Sequence, residues 1–375
     1  MALNDIVLFH RNPAQEILAV RPFTRLEWAR RFVGGGVFRL DLPLEQGAAV
    51  ACGDILDVEL DGRSEFTGIV QHRSLSYRPQ RSPLWRLEGV DLSWWLHQRV
   101  IIPPAGQSHD EQLGVAAESA IRHYVDAHLL NPSDPERVIP VVATLAPANS
   151  PLLGPTVSLR ARYSNLGKEV ERIALRAGIG LRVERDAAGA ISVAVVAERD
   201  RTAASGHPVI FSPALGTVET LTYTEAGVRN RNAIVVLGSG SGAGRLVETV
   251  TDPTDVAARG RRELALDART ATASAAATDA GEAELAGQAA DRRRVEARPA
   301  RAGPQTYRID WDVGDVVTLD LPDIGQRFDQ RIETVRCEID GETPLSITCA
   351  FGAPTPDATD TLRRLDERST PGRFI

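Results

Sequence analysis

The chain has 375 residues, an ordinary apolar fraction of 43% and a net charge of −7, which leaves room for two or three folded domains. It holds no run of eighteen or more apolar residues, so no membrane segment is expected, and its mild acidity argues against sequence-independent nucleic-acid binding, which needs a basic surface. Residues Met1–His10 lack a basic region and carry too short an apolar run for a signal peptide, so the expected place of synthesis and residence is a cytoplasm.

The first hundred residues read as β-rich, with strands expected at Ile6–Phe9, Val37–Leu42, Leu56–Leu60, Phe66–Val70 and Trp85–Val90. In the second of these, Phe38, Leu40 and Leu42 alternate with Val37, Arg39 and Asp41, the period of a half-buried strand. Asp110–Leu130 reads as a helix with Ser108 as its cap and Asn131-Pro132 as its end. A proline-rich connection, Pro132–Pro155, leads to a second helix opened by Ser164. That helix has Leu166, Val170, Ile173 and Ala174 inward and Gly178 as its stop. Gly180–Arg185 and Ile191–Val196 form a predicted hairpin. From Asp255 to about Arg298 the pattern is helical and Ala-rich, and within it residues 271–281 are either a loop between two helices or a loosely packed helix. The chain returns to β at Thr306, and from Pro354 it reads as a polar tail.

Three cysteines, Cys52, Cys337 and Cys349, form no metal-type pair. They read as reduced, mostly buried thiols, with a Cys337–Cys349 disulfide as the alternative. Lys168 is the only lysine, so the basic residues are almost all Arg.

A repeat organises the two ends. GDILDVEL starts at Gly53 and GDVVTLDL at Gly314, 261 residues apart. After Gly53-Asp54, Leu56, Val58 and Leu60 share a face. After Gly314-Asp315, Val317, Leu319 and Leu321 do the same. Each strand meets a polar turn, Asp61-Gly62 or Asp323–Gly325, then a return segment, Phe66–Val70 or Phe328–Val335. Pro83-Leu84 and Pro344-Leu345 sit thirty residues beyond their Gly-Asp and open a third strand. The return strands alternate less cleanly than the outbound ones, the mark of a bulge. The fold class is therefore β-rich α+β, with two similar β-barrels and mixed αβ inserts between them. Residues 1–104 would form the first barrel and 105–225 a mixed insert. Residues 226–353 would form the second barrel with a helical insert at about 255–298, and 354–375 the tail.

Chemical motifs are weak. NAIVVLGSGSGAGR, Asn232–Arg245, imitates a dinucleotide fingerprint, but the β-branched Arg245–Val250 follows where a helix is required, so a glycine-rich hairpin fits better and no cofactor is expected. His123 and His128, five apart, diverge on a helix and make no zinc site. Asp310 and Asp312 flank Trp311 and would share one side of a strand, as a carboxylate pair for glycoside hydrolysis or as a solvated face. Trp94-Trp95 pairs a core ring with a possible interface ring. No catalytic, metal or cofactor residue stands out, and the chain is expected not to be an enzyme.

Several segments together resemble the tail-tip hub proteins of long-tailed phages. They are Phe23–Trp28 (F-x-R-L-x-W), Gly36–Pro43 (GVFRLDLP), Gly53-Asp54 with Gly68-Ile69-Val70, Trp94–Pro104 (WWLHQRVIIPP), the segment GVRNRNAIVVLGSGSGAGR, and Trp311–Val317 (WDVGDVV). The resemblance covers roughly residues 5–352. It implies a baseplate hub related in fold to the hubs of contractile tails, in which two tube-type barrels per chain and three chains give a pseudo-sixfold ring. It also implies a homotrimer at the tail tip of a virion, assembled in the host cytoplasm. The implied partners are the distal tail protein, the C-terminus of the tape-measure protein, and tail fibre or receptor-binding proteins. DNA would pass only transiently through the lumen during genome ejection. Gly53, Asp54, Gly314 and Asp315 would be structural turns, and Trp94, Trp95 and Phe374 interface positions. Because the chain ends at Ile375, a lytic domain is expected on another polypeptide, and the tail DTLRRLDERSTPGRFI is either a clasp on a neighbouring subunit or disordered. The rival readings are a cell-wall glycan hydrolase and a carbohydrate-binding tail module.

Overall fold

The computed structural model describes residues 5–352 except 15, 79–80, 140, 186–188, 226–230, 270, 291–292, 302 and 341–342. The first third contains β1 (Ile6–Arg11), β2 (Ile17–Val20), β3 (Arg25–Arg31), β4 (Val37–Pro43), α1 (Leu44–Ala48), β5 (Ile55–Leu60), β6 (Arg63–Arg78), β7 (Arg81–Asp91) and α2 (Trp94–His97). The middle adds β8 (Asp110–Ala116), α3 (Ala117–Val125) running into a π-helical turn (Asp126–Leu130), β9 (Ala143–Leu145), β10 (Thr156–Ala161), α4 (Leu166–Ala177), β11 (Gly180–Arg185), β12 (Ile191–Val196), β13 (Arg199–Arg201), β14 (Ile210–Phe211) and β15 (Val218–Glu225). The last third holds β16 (Ala233–Leu237), β17 (Val247–Thr251), α5 (Pro253–Arg259), β18 (Glu263–Asp267), α6 (Ser274–Ala290), β19 (Arg293–Pro299), β20 (Asp315–Leu321), β21 (Gln326–Asp340) and β22 (Ser346–Phe351).

Among the described residues fourteen strands join one large sheet, in the order β15-β19-β22-β21-β3-β4-β7-β6-β5-β1-β2, with β20 on β21 and the short β13 and β14 parallel to β20. Among these residues no sheet closes into a barrel. The two barrels expected from the repeat are instead arms of one open sheet, because β21 of the second copy pairs antiparallel with β3 of the first, Thr334 facing Arg31 through to Asp340 facing Arg25. One hydrophobic cluster runs through both arms, with Leu26, Trp28, Leu40, Val58, Val317, Leu319, Val335 and Phe351 all buried.

Two smaller units hang from this sheet. In one, α3 and α4 pack on β11 and β12 around Ile121, Tyr124, Val170 and Ile173. In the other, α6 lies on the β17-β16-β18 sheet over Ile234, Val236 and Ala277. The Ala-rich segment is thus a helix, and its small residues let it approach closely. A Cβ at Gly281 would sit 2.7 Å from Val250 and 2.8 Å from Val236.

Other expectations change for local reasons. Asp110–Ala116 is a strand rather than the first turns of a helix. It pairs with β10, Gly114 takes φ +65 and Leu113 points to solvent, so the helix starts only at Ala117. Asn165, not Ser164, caps α4, its Oδ1 accepting the Lys168 N–H at 3.0 Å, while Gly178 ends the helix at φ +68 as expected. The Asp255–Arg298 region alternates α5, β18, α6 and β19. Strands β2 and β3 were not anticipated, although Leu26, Trp28 and Arg30 alternate with Arg25, Glu27 and Ala29. The hairpins β11–β12 and β16–β17 form as expected, although three residues of the Asp186–Ala190 connection lie outside the described residues. Cys337 and Cys349 are buried free thiols, raised well above their usual value by burial, and Cys52 is exposed.

The glycines of the two repeat turns provide a test. Both take φ +92, but a Cβ at Gly53 meets nothing within 4 Å, whereas at Gly314 it would lie 2.5 Å from the Phe32 ring. Gly53→Ala should cost about 1–3 kcal/mol from backbone strain alone. Gly314→Ala should cost distinctly more, because the ring must also move. Urea midpoints of the two variants check this, and equal losses would refute the difference in packing.

Candidate functional site

The two Gly-Asp turns are the same structure built twice. Gly53 donates to the Val70 carbonyl and Gly314 to the Ile332 carbonyl, both at 2.8 Å. In each turn the aspartate side chain accepts the backbone N–H three residues earlier, Ala51 to Asp54 and Asp312 to Asp315, again both at 2.8 Å. The strand partners agree as well, with Val58 facing Phe66 and Leu319 facing Phe328. In the middle strand one residue bulges at the equivalent place, Gln71 between Val70 and His72, and Glu333 between Ile332 and Thr334. A bulge bends a strand and increases its twist, so both copies bend at this equivalent place.

What holds each turn from outside differs. Asp54 receives His10 Nε2 at 2.7 Å from β1. Asp315 receives the Arg199 guanidinium through Nε at 2.6 Å and Nη2 at 2.8 Å. That two-point contact is the stronger geometry for a carboxylate and, through the side-chain hydrogen bonds first, raises the Arg199 pKa.

A buried polar cluster pins the seam between the copies. Arg30 of β3 donates to Asp312 Oδ1 at 2.6 Å and to the Tyr307 hydroxyl at 2.9 Å. The Tyr307 hydroxyl donates to Glu65 Oε1 at 2.6 Å, and Trp28 Nε1 approaches the same oxygen at 3.3 Å. Arg308, at φ +67, closes the circuit with Glu65 at 3.1 Å and Asp312 at 2.7 Å. Glu65 reaches this position because it is itself a bulge: Val58 faces Phe66 and Glu59 faces Ser64, leaving Glu65 without a strand partner. Burial opposes ionisation of Asp312, but Arg30 and Arg308 outweigh it and hold its carboxyl below the usual range. Burial, with the charges of Glu65 and Asp312 against that of Arg30, holds the Tyr307 hydroxyl protonated, well above its usual value. The adjacent cavity, lined by Arg30, Ser64, Glu65 and Glu184 among others, is about 60 Å³. That holds waters, not a substrate.

Asp310 and Asp312, expected to share one side of a strand, separate. Asp310 and Asp312 lie on a turn, not a strand: Asp310 accepts the Thr306 N–H at 2.6 Å, and Asp312 belongs to the seam. Among the described residues no group of His, Cys, Asp and Glu could hold a metal.

The histidines meet where divergence was expected. His123 Nε2 lies 2.8 Å from Asp110 Oδ1 and His128 Nε2 lies 2.9 Å from Asp110 Oδ2. The π-helical turn at 126–130 is wider than an α turn, so a spacing of five returns to the same side. Trp94 and Trp95 stack edge to face at 4.8 Å on α2, both half-buried against the core of the middle unit. Phe374 lies outside the described residues.

The seam residues Glu65, Tyr307 and Arg308 were not anticipated. Only Glu65 had a sequence signal, the broken alternation of the return strand.

The chain belongs to the Siphovirus ReqiPepy6 Gp37-like family, a family of siphovirus tail proteins, whose model matches residues 12–353. Among solved structures the fold is similar to the tail protein from Neisseria meningitidis MC58, with 16% identity and a TM-score of 0.63 over 93% of this chain and 96% of that one. It is equally similar to the 43 kDa tail protein of prophage MuSo2 from Shewanella oneidensis, with 16% identity and a TM-score of 0.63 over 93% and 98%. The prophage tail protein gp18 from Listeria monocytogenes EGD-e has 10% identity and a TM-score of 0.58 over 97% and 98%. No curated protein matches the sequence.

Two measurements test the energetics of these clusters. Arg30→Ala leaves Asp312 and Glu65 buried beside fewer cations and should cost about 3–5 kcal/mol, against about 1–2 kcal/mol for Tyr307→Phe. Denaturant unfolding reads both, and a small loss at Arg30 would mean that the seam does not depend on the cluster. For His128, burial lowers the imidazole pKa against the pull of Asp110. The unfolded chain protonates this group near about 6.5, while the folded chain does so only at lower pH. Stability therefore rises with pH across that window and falls as pH drops below about 6.5. His128→Gln should flatten this slope in urea midpoints taken between about pH 5 and 8. An unchanged slope would assign the effect elsewhere.

Proposed function

We propose that the chain is the structural baseplate hub of a phage tail tip, a homotrimer whose six similar halves surround one axis. Such an assembly presents a pseudo-sixfold face to a sixfold tail tube while remaining threefold toward the tip. The observation that carries this reading is the geometry the two copies share, from the φ +92 glycines and aspartate-capped turns to the bulges at Gln71 and Glu333. Two halves that diverge in sequence yet keep one curvature suit equivalent places in a ring. Each half then supplies an arc of a tube-type barrel that is completed by its neighbours.

In this role one face meets the distal tail protein, and the lumen meets the C-terminus of the tape-measure protein and later, transiently, DNA. The net charge of −7 suits a passage to which DNA must not adhere. Tail fibre or receptor-binding proteins attach toward the tip, and the half-buried Trp94–Trp95 corner and Phe374 are further contact points. The role is structural rather than enzymatic, in keeping with buried carboxylates Glu65 and Asp312 that are engaged by arginines.

Native mass of the purified chain, alone and mixed with the distal tail protein of the same phage, tests the proposal. A trimer in either sample is the expected result. A monomer that ignores its tail partner overturns it.

A further inference from the structure

In the second copy, β21 is paired on both edges along its C-terminal half: β22 lies on one side, and β3 continues the line of β20 on the other. In the first copy, β6 is the equivalent strand. β5 pairs with it up to Ile69 and β7 lies on the opposite edge. Beyond Val70 the edge facing away from β7 has no strand partner among the described residues. At the β15 end of the sheet, β19 is the one strand partner of β15 among the described residues, so there its outer edge is also unpaired. Long open edges invite pairing with another chain.

These two edges are counterparts of a contact the chain already makes. From Gly89 of β7 the ladder crosses through Phe38 to Trp28 of β3. From Phe351, the equivalent of Gly89 in β22, it crosses through Val295 to Tyr223 of β15. So β15 occupies in the second copy the place of β3 in the first. We infer that β15 of one subunit pairs antiparallel with the open edge of β6 in the next, repeating between chains the β3–β21 pairing made within one. This rests on the homotrimer reading for the number of copies, but its surface and register come from the repeat.

The register follows residue by residue. Within the chain Cys337 faces Trp28, Ile339 faces Leu26, Glu338 faces Glu27 and Val335 faces Arg30. Between chains Leu75 therefore faces Tyr223, Tyr77 faces Leu221, Ser76 faces Thr222 and Arg73 faces Glu225. The chemistry agrees with that register. Tyr77, at the irregularity of the β6–β7 ladder between Ser76 and Arg78, is 71% exposed, and by position in the repeat it is the counterpart of the half-buried Ile339. Leu221 and Tyr223 are half-buried and border the main core. Pairing them extends that core across the junction, and Arg73 and Glu225 bring opposite charges together. The contact is head-to-tail, one β6 edge and one β15 edge per subunit, and such a contact closes into a ring when its rotation allows.

Disulfide trapping in the full chain tests the register. In a Cys52→Ser background, Ser76→Cys with Thr222→Cys places thiols on directly opposed residues. Ser76→Cys with Glu219→Cys separates them by about 10 Å along the strand. Mild oxidation should give covalent dimers and trimers from the first pair and not from the second. Tyr77→Asp, at an exposed position, should weaken assembly at least tenfold without changing monomer melting. A native trimer that traps with neither pair, or that tolerates Tyr77→Asp, overturns this interface and leaves the trimer standing. A chain that stays monomeric with its tail partner removes both.

Discussion

The antiparallel ladder between β3 and β21 is the constraint on which the rest depends. It makes the two ends of a 375-residue chain neighbours and turns two meanders into one sheet. Backbone hydrogen bonds alone would allow the register to slip by two residues. Side chains prevent that: Trp28, fully buried, must lie opposite Cys337, and Arg30 must reach Asp312 and Tyr307. A buried ionic cluster is a poor source of net stability but a good source of specificity when every partner is placed. Here it fixes which strand meets which.

The same seam explains why the copies differ where they do. Glu65 bulges inward in the first copy, and no residue bulges at the matching place in the second, whose carboxylate for the junction, Asp312, comes from beside its Gly-Asp turn instead. The outer partners differ for a related reason. Asp54 is held by His10 from an antiparallel neighbour, and Asp315 by Arg199 from a short parallel strand that brings the chain back from the middle unit. The turn itself is retained because Gly at φ +92 followed by an aspartate that caps its own loop is a local solution, independent of what lies outside it.

The repeat was legible in the sequence because Gly-Asp turns and alternating strands are local signals. The meanders, their bulges and the two glycine-rich or polar hairpins follow from such signals. The joining of the copies was not legible, since nothing local records that β3 faces β21 across some 300 residues of chain. The helix expected from Asp110 failed because Leu113 fits a helical stripe by spacing, while Gly114 and pairing with β10 decide the backbone. The meeting of His123 and His128 on Asp110 was hidden by a π-helical turn, which changes the angular period on which the spacing argument relied. At the seam, Tyr307 and Arg308 carry no motif of their own. They became meaningful only when Glu65 appeared opposite them.

A closed pair of barrels within one chain would have satisfied every strand edge and left no directional surface. The open sheet does the reverse. One copy has its central strand flanked by β3 of the other, and the other copy has no strand on the corresponding edge among the described residues. Duplication of a meander thus creates an asymmetry between similar units: an internal junction that is made within the chain, and a corresponding edge that is left unpaired among the described residues. In the proposed ring, a protein built in this way would carry the pattern of its contact with a neighbour inside its own fold, and the bulges at Gln71 and Glu333 would bend both junctions at the same place.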